Sequence, residues 1–118
     1  MKPWKHALIS SKKFGGLPDQ YLPIHNFFDE SKAHLADIRH RSLLHSSWGI
    51  WLVERVFGTT ITNSKGKKVS VRDIGEQHVL DDMGCIPTVE RWLRNMRIEP
   101  WMGGRPEKAK PVTIQLVD

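Results

Sequence analysis

The sequence predicts a mainly α protein, a compact helical bundle with one small β hairpin and a short, strand-prone C-terminal tail. Three observations lead there. Residues Leu35, Ile38, His45, Gly49, Leu52 and Val56 recur at steps of three, four or seven through the stretch HLADIRHRSLLHSSWGIWLVERVFG, the spacing of an inward helical stripe. Helix start and stop signals punctuate the rest of the chain. Only TTITNSKGKKVSV sets β-branched residues on both sides of a turn-forming cluster. At 118 residues the chain suits one core rather than two. We assign residues 1–104 to a single helical domain and 105–118 to the tail.

The opening WKHALISSKK predicts a short amphipathic helix with Trp4 and Leu8 inward and Ala7 as a further candidate, ended by Phe14-Gly15-Gly16. His6 falls near the edge of that face. A second helix begins between Pro18 and Ile24, and on it His25 and Asp29 stand four residues apart. Such a pair shares one face, compatible with a side-chain hydrogen bond, with joint ligation of a cation, or with an ordinary exposed pair. The central stretch from His34 to Gly58 follows, as one long helix or as two broken near Ser46-Ser47 or Gly49. A hairpin then turns at Asn63-Ser64-Lys65-Gly66. Ser70 and Asp73 make an S-x-x-D helix start, and Gly84 closes the helix they open, on which His78 and Asp82 share a stripe with Val71 and Ile74. Pro87-Thr88 opens a last helix with Val89, Trp92, Leu93 and Met96 on its apolar side. The tail ends in the strand-prone VTIQLV.

The net charge of +5 and a pI near 9.6 favour an anionic partner. A single cysteine, Cys85, excludes an internal disulfide framework and suits a reducing compartment. Without a base beside it, Cys85 reads as a small buried apolar residue rather than a nucleophile. No run approaches the roughly 18 apolar residues of a membrane span, and Met1 to Lys13 lacks the apolar centre of a secretory signal. The expectation is a cytoplasmic protein without membrane contact.

Chemistry concentrates in the histidines. His45 falls in the middle of an apolar stripe, where its ring nitrogens need hydrogen bonds or a metal, because an unpaired buried polar group costs roughly 1–3 kcal/mol. With His78 and Asp82 it forms a candidate divalent-metal site for Zn, Mn or Fe, which His6, His40 or Asp81 would complete. A water in an open coordination position could attack a phosphoryl or acyl group, with Glu76 taking the proton. The other reading is that His45 and His78 are core histidines hydrogen-bonded to Asp82, Glu76 or backbone. The pattern is superficially similar to the helical HD phosphohydrolases, though it lacks their adjacent His-Asp dipeptide.

HALIS, FGG, YLPIH, RHRSLLH, ITNSKGKKVSVRDIGEQHVLDDMG, IPTVERWL and EPWMGG together resemble an uncharacterised family of small bacterial and phage-encoded proteins, over residues 6–104. The resemblance implies no particular activity, and its phage members suggest an accessory or host-interference role. A second class of function is a non-catalytic basic module. Lys12, Lys13, Lys65, Lys67, Lys68, Arg91, Arg94 and Arg97 would hold nucleic acid or an anionic nucleotide through phosphate contacts, with Trp92 and Trp101 as stacking faces, or would meet a protein partner.

Overall fold

A computed structural model describes residues 1–103, so the strand predicted in the tail lies outside the described residues. The chain is mainly helical with one antiparallel hairpin. Helix α1 (Pro3–Phe14) leads through a tight turn at Pro18–Gln20 into α2 (Leu22–Asp29). After turns at Glu30–Ala33 and Ile38–His40 come α3 (Arg41–Leu44) and α4 (Ser47–Phe57). Strands β1 (Thr60–Thr62) and β2 (Lys68–Ser70) precede α5 (Val71–Met83) and α6 (Val89–Leu93).

Helix α5 is the hub, packing on α4, α2 and α1. The Ser70 hydroxyl accepts the Asp73 amide at 3.2 Å, and Gly84 ends the helix at φ 75°, a conformation that side chains disfavour. At Gly75 a Cβ would stand 3.2 Å from Phe28 Cζ and 3.3 Å from Val53 Cγ1, so glycine sets how closely α5 approaches α2 and α4. Around it Tyr21, Ile24, Phe28, Ile50, Val53, Ile74 and Val79 are buried. Each such side chain contributes about 1.5–3 kcal/mol of transfer free energy.

The hairpin pairs Thr60 with Ser70, Ile61 with Val69 and Thr62 with Lys68. Asn63 pins it to the helices. Its Oδ1 accepts the amides of Lys65 and Lys67 at 2.9 and 3.1 Å, while its Nδ2 donates to the Phe14 carbonyl and the Tyr21 hydroxyl, each at 3.3 Å.

Three helical faces differ from expectation. In the central stretch, His45 leaves the helix and Ser46 caps a new one, its hydroxyl accepting the Gly49 amide at 3.2 Å. This restart resets the phase beyond it, so Ile50 and Val53 turn inward while Val56 is 56% exposed; Ile38, in the turn before α3, is 66% exposed. In α1 the buried residues are His6, Ala7 and Ser10, and Trp4 and Leu8 face outward. The neighbouring helices present polar partners there, so the polar face is the one that packs. Helix α6 stops at Leu93, so Met96 falls beyond it and is exposed, and Leu93 itself faces outward.

Candidate metal centre

The middle of the bundle is polar. Three helices each contribute a pair spaced four residues apart, which places both members on one face: His6 and Ser10 from α1, His25 and Asp29 from α2, His78 and Asp82 from α5. His45 enters from the break between α3 and α4, and His40 from the turn before α3. All these side chains are buried, that of Asp82 to 1% exposure.

Asp82 is shared between several cations and donors. Its Oδ1 lies 3.1 Å from His6 Nε2, 3.1 Å from the Met1 amino group and 3.8 Å from an Arg41 guanidinium nitrogen. Its Oδ2 lies 2.9 Å from His45 Nε2 and 3.4 Å from His78 Nε2. Across the centre, Asp29 Oδ1 faces His40 Nε2 at 3.5 Å, His78 Nε2 at 3.6 Å and His45 Nε2 at 3.7 Å. These distances exceed the span of an ordinary hydrogen bond. His40 Nε2 and His78 Nε2 are thus buried without a hydrogen-bond partner among the described residues, as are Asp29 Oδ2 and His45 Nδ1 on the far sides of their groups.

Donor atoms of Asp29, His45, His78 and Asp82 all lie within 4.8 Å of one another. Metal–ligand bonds of about 2.1 Å place adjacent tetrahedral ligands about 3.4 Å apart and adjacent octahedral ones about 3.0 Å apart. The observed neighbours, from 2.9 to 3.7 Å, bracket those spacings. A second group, His6 with His25 and His78, is equally close. There the His6 and His78 rings stack face to face with centroids 3.9 Å apart, so their in-plane lone pairs run side by side instead of converging.

Burial alone would raise the carboxyl of Asp82, but the hydrogen bonds from His45 and His6 outweigh it and hold the group far below the ordinary carboxylate range. Asp29 shows the same balance: burial raises it, the nearby His78 imidazole lowers it more, and the net shift is downward. Both carboxylates are therefore ionised. Burial lowers His25 to about 2 and His78 to about 4, so both imidazoles are neutral at physiological pH.

Of the residues singled out in the sequence, His45, His78 and Asp82 meet at the centre, His6 sits on the outer oxygen of Asp82, and His40 sits beside Asp29. Asp81 reaches His6 Nδ1 at 3.4 Å. Glu76 lies about 200° around α5 from His78, and its carboxylate makes no hydrogen bond or ion pair among the described residues. Sequence reasoning gave His25 and Asp29 too little weight. A family model for a domain of unknown function (DUF6915) matches residues 1–102.

The chain belongs to the DUF6915 family. The DUF6915 match spans every residue of the centre from His6 to Asp82. No curated protein and no solved structure matches the chain. On this DUF6915 fold the eight basic residues singled out in the sequence occupy two places. Lys65, Lys67 and Lys68 are exposed on the hairpin, beside the end of α1 that carries Lys12 and Lys13. Arg91, Arg94 and Arg97 are exposed on and after α6, which Trp92 anchors by donating its indole N–H to the His45 carbonyl at 2.8 Å. Arg94 pairs with Glu90 at 2.8 Å and Arg97 with Glu99 at 3.9 Å, while Trp101 is 83% exposed. No helix among the described residues is long and apolar enough to cross a membrane.

Proposed function

We propose that this DUF6915 protein binds a divalent metal ion between Asp29, His45, His78 and Asp82. The observation that carries the reading is the geometry of His78 Nε2, buried without a hydrogen-bond partner and facing two ionised carboxylates at 3.4 and 3.6 Å. Two carboxylates balance the charge of a dication, and mixed imidazole and carboxylate ligands suit Zn, Mn or Fe(II). A metal would also give His78 Nε2 the partner that burial has otherwise denied it.

The burial of all four donors favours an ion that organises the fold. Metal-assisted hydrolysis of a phosphoryl or acyl group is the chemistry open to the same ion where one coordination position admits water. Elemental analysis of protein purified without a histidine tag, with calorimetric titration of zinc and manganese, tests the reading. We expect stoichiometric binding that Asp29→Asn and Asp82→Asn each abolish. Failure of the parent protein to retain or bind either metal refutes it. Turnover of phosphoester or acyl-ester substrates that rises and falls with metal content would add the hydrolytic role.

A further inference from the structure

We propose that His25, held in place by Ser10 and Gln77, is a positioning residue that fixes the His78 imidazole with its proton on Nδ1 and its Nε2 lone pair aimed at the ion. The inference deepens the metal reading above and rests on it. Its starting point is Gln77, whose amide orientation leaves no choice. The Gln77 Nε2 stands 3.0 Å from the His6 carbonyl oxygen and 3.0 Å from Asp81 Oδ2, two groups that only accept. The amide oxygen therefore faces Ser10, whose hydroxyl donates its one proton to it at 2.5 Å. Ser10 Oγ must then accept from its other neighbour, His25 Nε2, at 2.7 Å.

His25 is fully buried and its two ring nitrogens meet Ser10 and His78 with no carboxylate in contact, so a ring with its proton on Nε2 has a bare Nδ1. That atom lies 2.9 Å from His78 Nδ1, and the bond between them needs one proton, which only His78 can give. His78 Nε2 is thereby left as a lone pair, directed at Asp29 and Asp82. The opposite tautomer of His78 would have donated to those carboxylates, which is what a centre built only of hydrogen bonds would select. The relay selects against it. His40 is anchored in the same way: its Nδ1 donates to the Asp37 carbonyl at 2.9 Å, with its Nε2 3.5 Å from Asp29 Oδ1. Metal-ligating histidines characteristically donate their other ring N–H to a fixed acceptor, and loss of that acceptor typically weakens metal binding about 10- to 100-fold.

The test combines histidine 15N spectra of the metal-free protein with zinc titration of the parent, Ser10→Ala, Ser10→Thr and His25→Phe. In the metal-free parent we expect the proton on Nε2 of His25 and on Nδ1 of His78. Ser10→Ala and His25→Phe should weaken zinc binding about 10- to 100-fold, with His78 in mixed tautomers in Ser10→Ala. Ser10→Thr, which keeps the hydroxyl, should restore both the affinity and the spectrum. A merely structural role would lower the melting temperature without moving the His78 signature. A parent His78 protonated on Nε2, or unchanged affinity in Ser10→Ala, overturns the inference while leaving the metal reading intact. Absence of zinc and manganese binding in a parent with the expected tautomers overturns the metal reading, and the positioning role with it.

Discussion

Replacing Gly49 by alanine tests how the backbone sets the centre. A Cβ built on Gly49 falls 2.5 Å from the Leu44 carbonyl carbon and 2.9 Å from Leu44 Cα, with the carbonyl oxygen nearer still. Those atoms are backbone, so no side chain can swing aside. Either α4 or the end of α3 must move, and His45 is the next residue after Leu44. Two effects compete. Alanine favours a helix over glycine by about 1 kcal/mol, whereas forced overpacking costs about 1–3 kcal/mol and occasionally more. The close approach to backbone places Gly49→Ala at or beyond the upper end of that range, for a net loss of about 2 kcal/mol. In a domain of this size that lowers Tm by roughly 8–16 °C. His45 Nε2 now stands 2.9 Å from Asp82 Oδ2, and a ligand set tolerates displacement of only about 0.5 Å. Zinc affinity should therefore fall along with stability. Urea unfolding and zinc titration measure the two, and a variant as stable as the parent with unchanged affinity would refute the reasoning.

Three further outcomes follow from the same geometry. Saturating zinc or manganese, at about 100 times Kd, should stabilise the protein by about 2.7 kcal/mol and raise Tm by roughly 10–20 °C, reversibly with chelator; a melt indifferent to both metals contradicts the site. Metal-free protein should lose stability as pH falls below 6.5, because the unfolded chain protonates histidines that the folded state holds neutral down to about 4 at His78 and about 2 at His25. The depressed carboxyls of Asp29 and Asp82 add a further loss below their ordinary range, and urea midpoints that rise on acidification would show the sign to be wrong. Asn63→Ala removes two bonds within the turn and two to α1 and Tyr21, and should cost about 2–4 kcal/mol at roughly 1 kcal/mol per bond. Denaturant unfolding checks that value, and a cost below about 0.5 kcal/mol would mean the hairpin does not lean on the helices.

Local signals carried the parts of the fold that local chemistry decides. The Asn63–Gly66 turn and the α5 boundaries at Ser70 and Gly84 were legible because a cap or a positive φ restricts the residue type on the spot. The meeting of His45, His78 and Asp82 was legible from spacing, since a neutral ring on an apolar stripe demands a partner. The face of α1 was not, because hydrophobic periodicity locates an apolar centre and this centre is polar. Trp4 and Leu8 drew the reading outward from His6 and Ser10. For His25 and Asp29 the spacing was visible but burial was not. What would have revealed it is the recurrence of a polar pair at the same four-residue step in three helices. The restart at Ser46 was one of two expected alternatives, and it shifts every later residue around the helix by an amount that spacing alone does not reveal.

The donors that meet at the centre come from α2, from the break before α4 and from α5, segments far apart along the chain. With Cys85 as its single thiol, the chain cannot form a disulfide within itself. An ion ligated at that junction in the folded chain would hold these segments at one point, and its binding free energy would add to the stability of the fold. Unlike a disulfide, such a staple is indifferent to reductants and is undone by chelation, which would tie the persistence of the fold to metal supply.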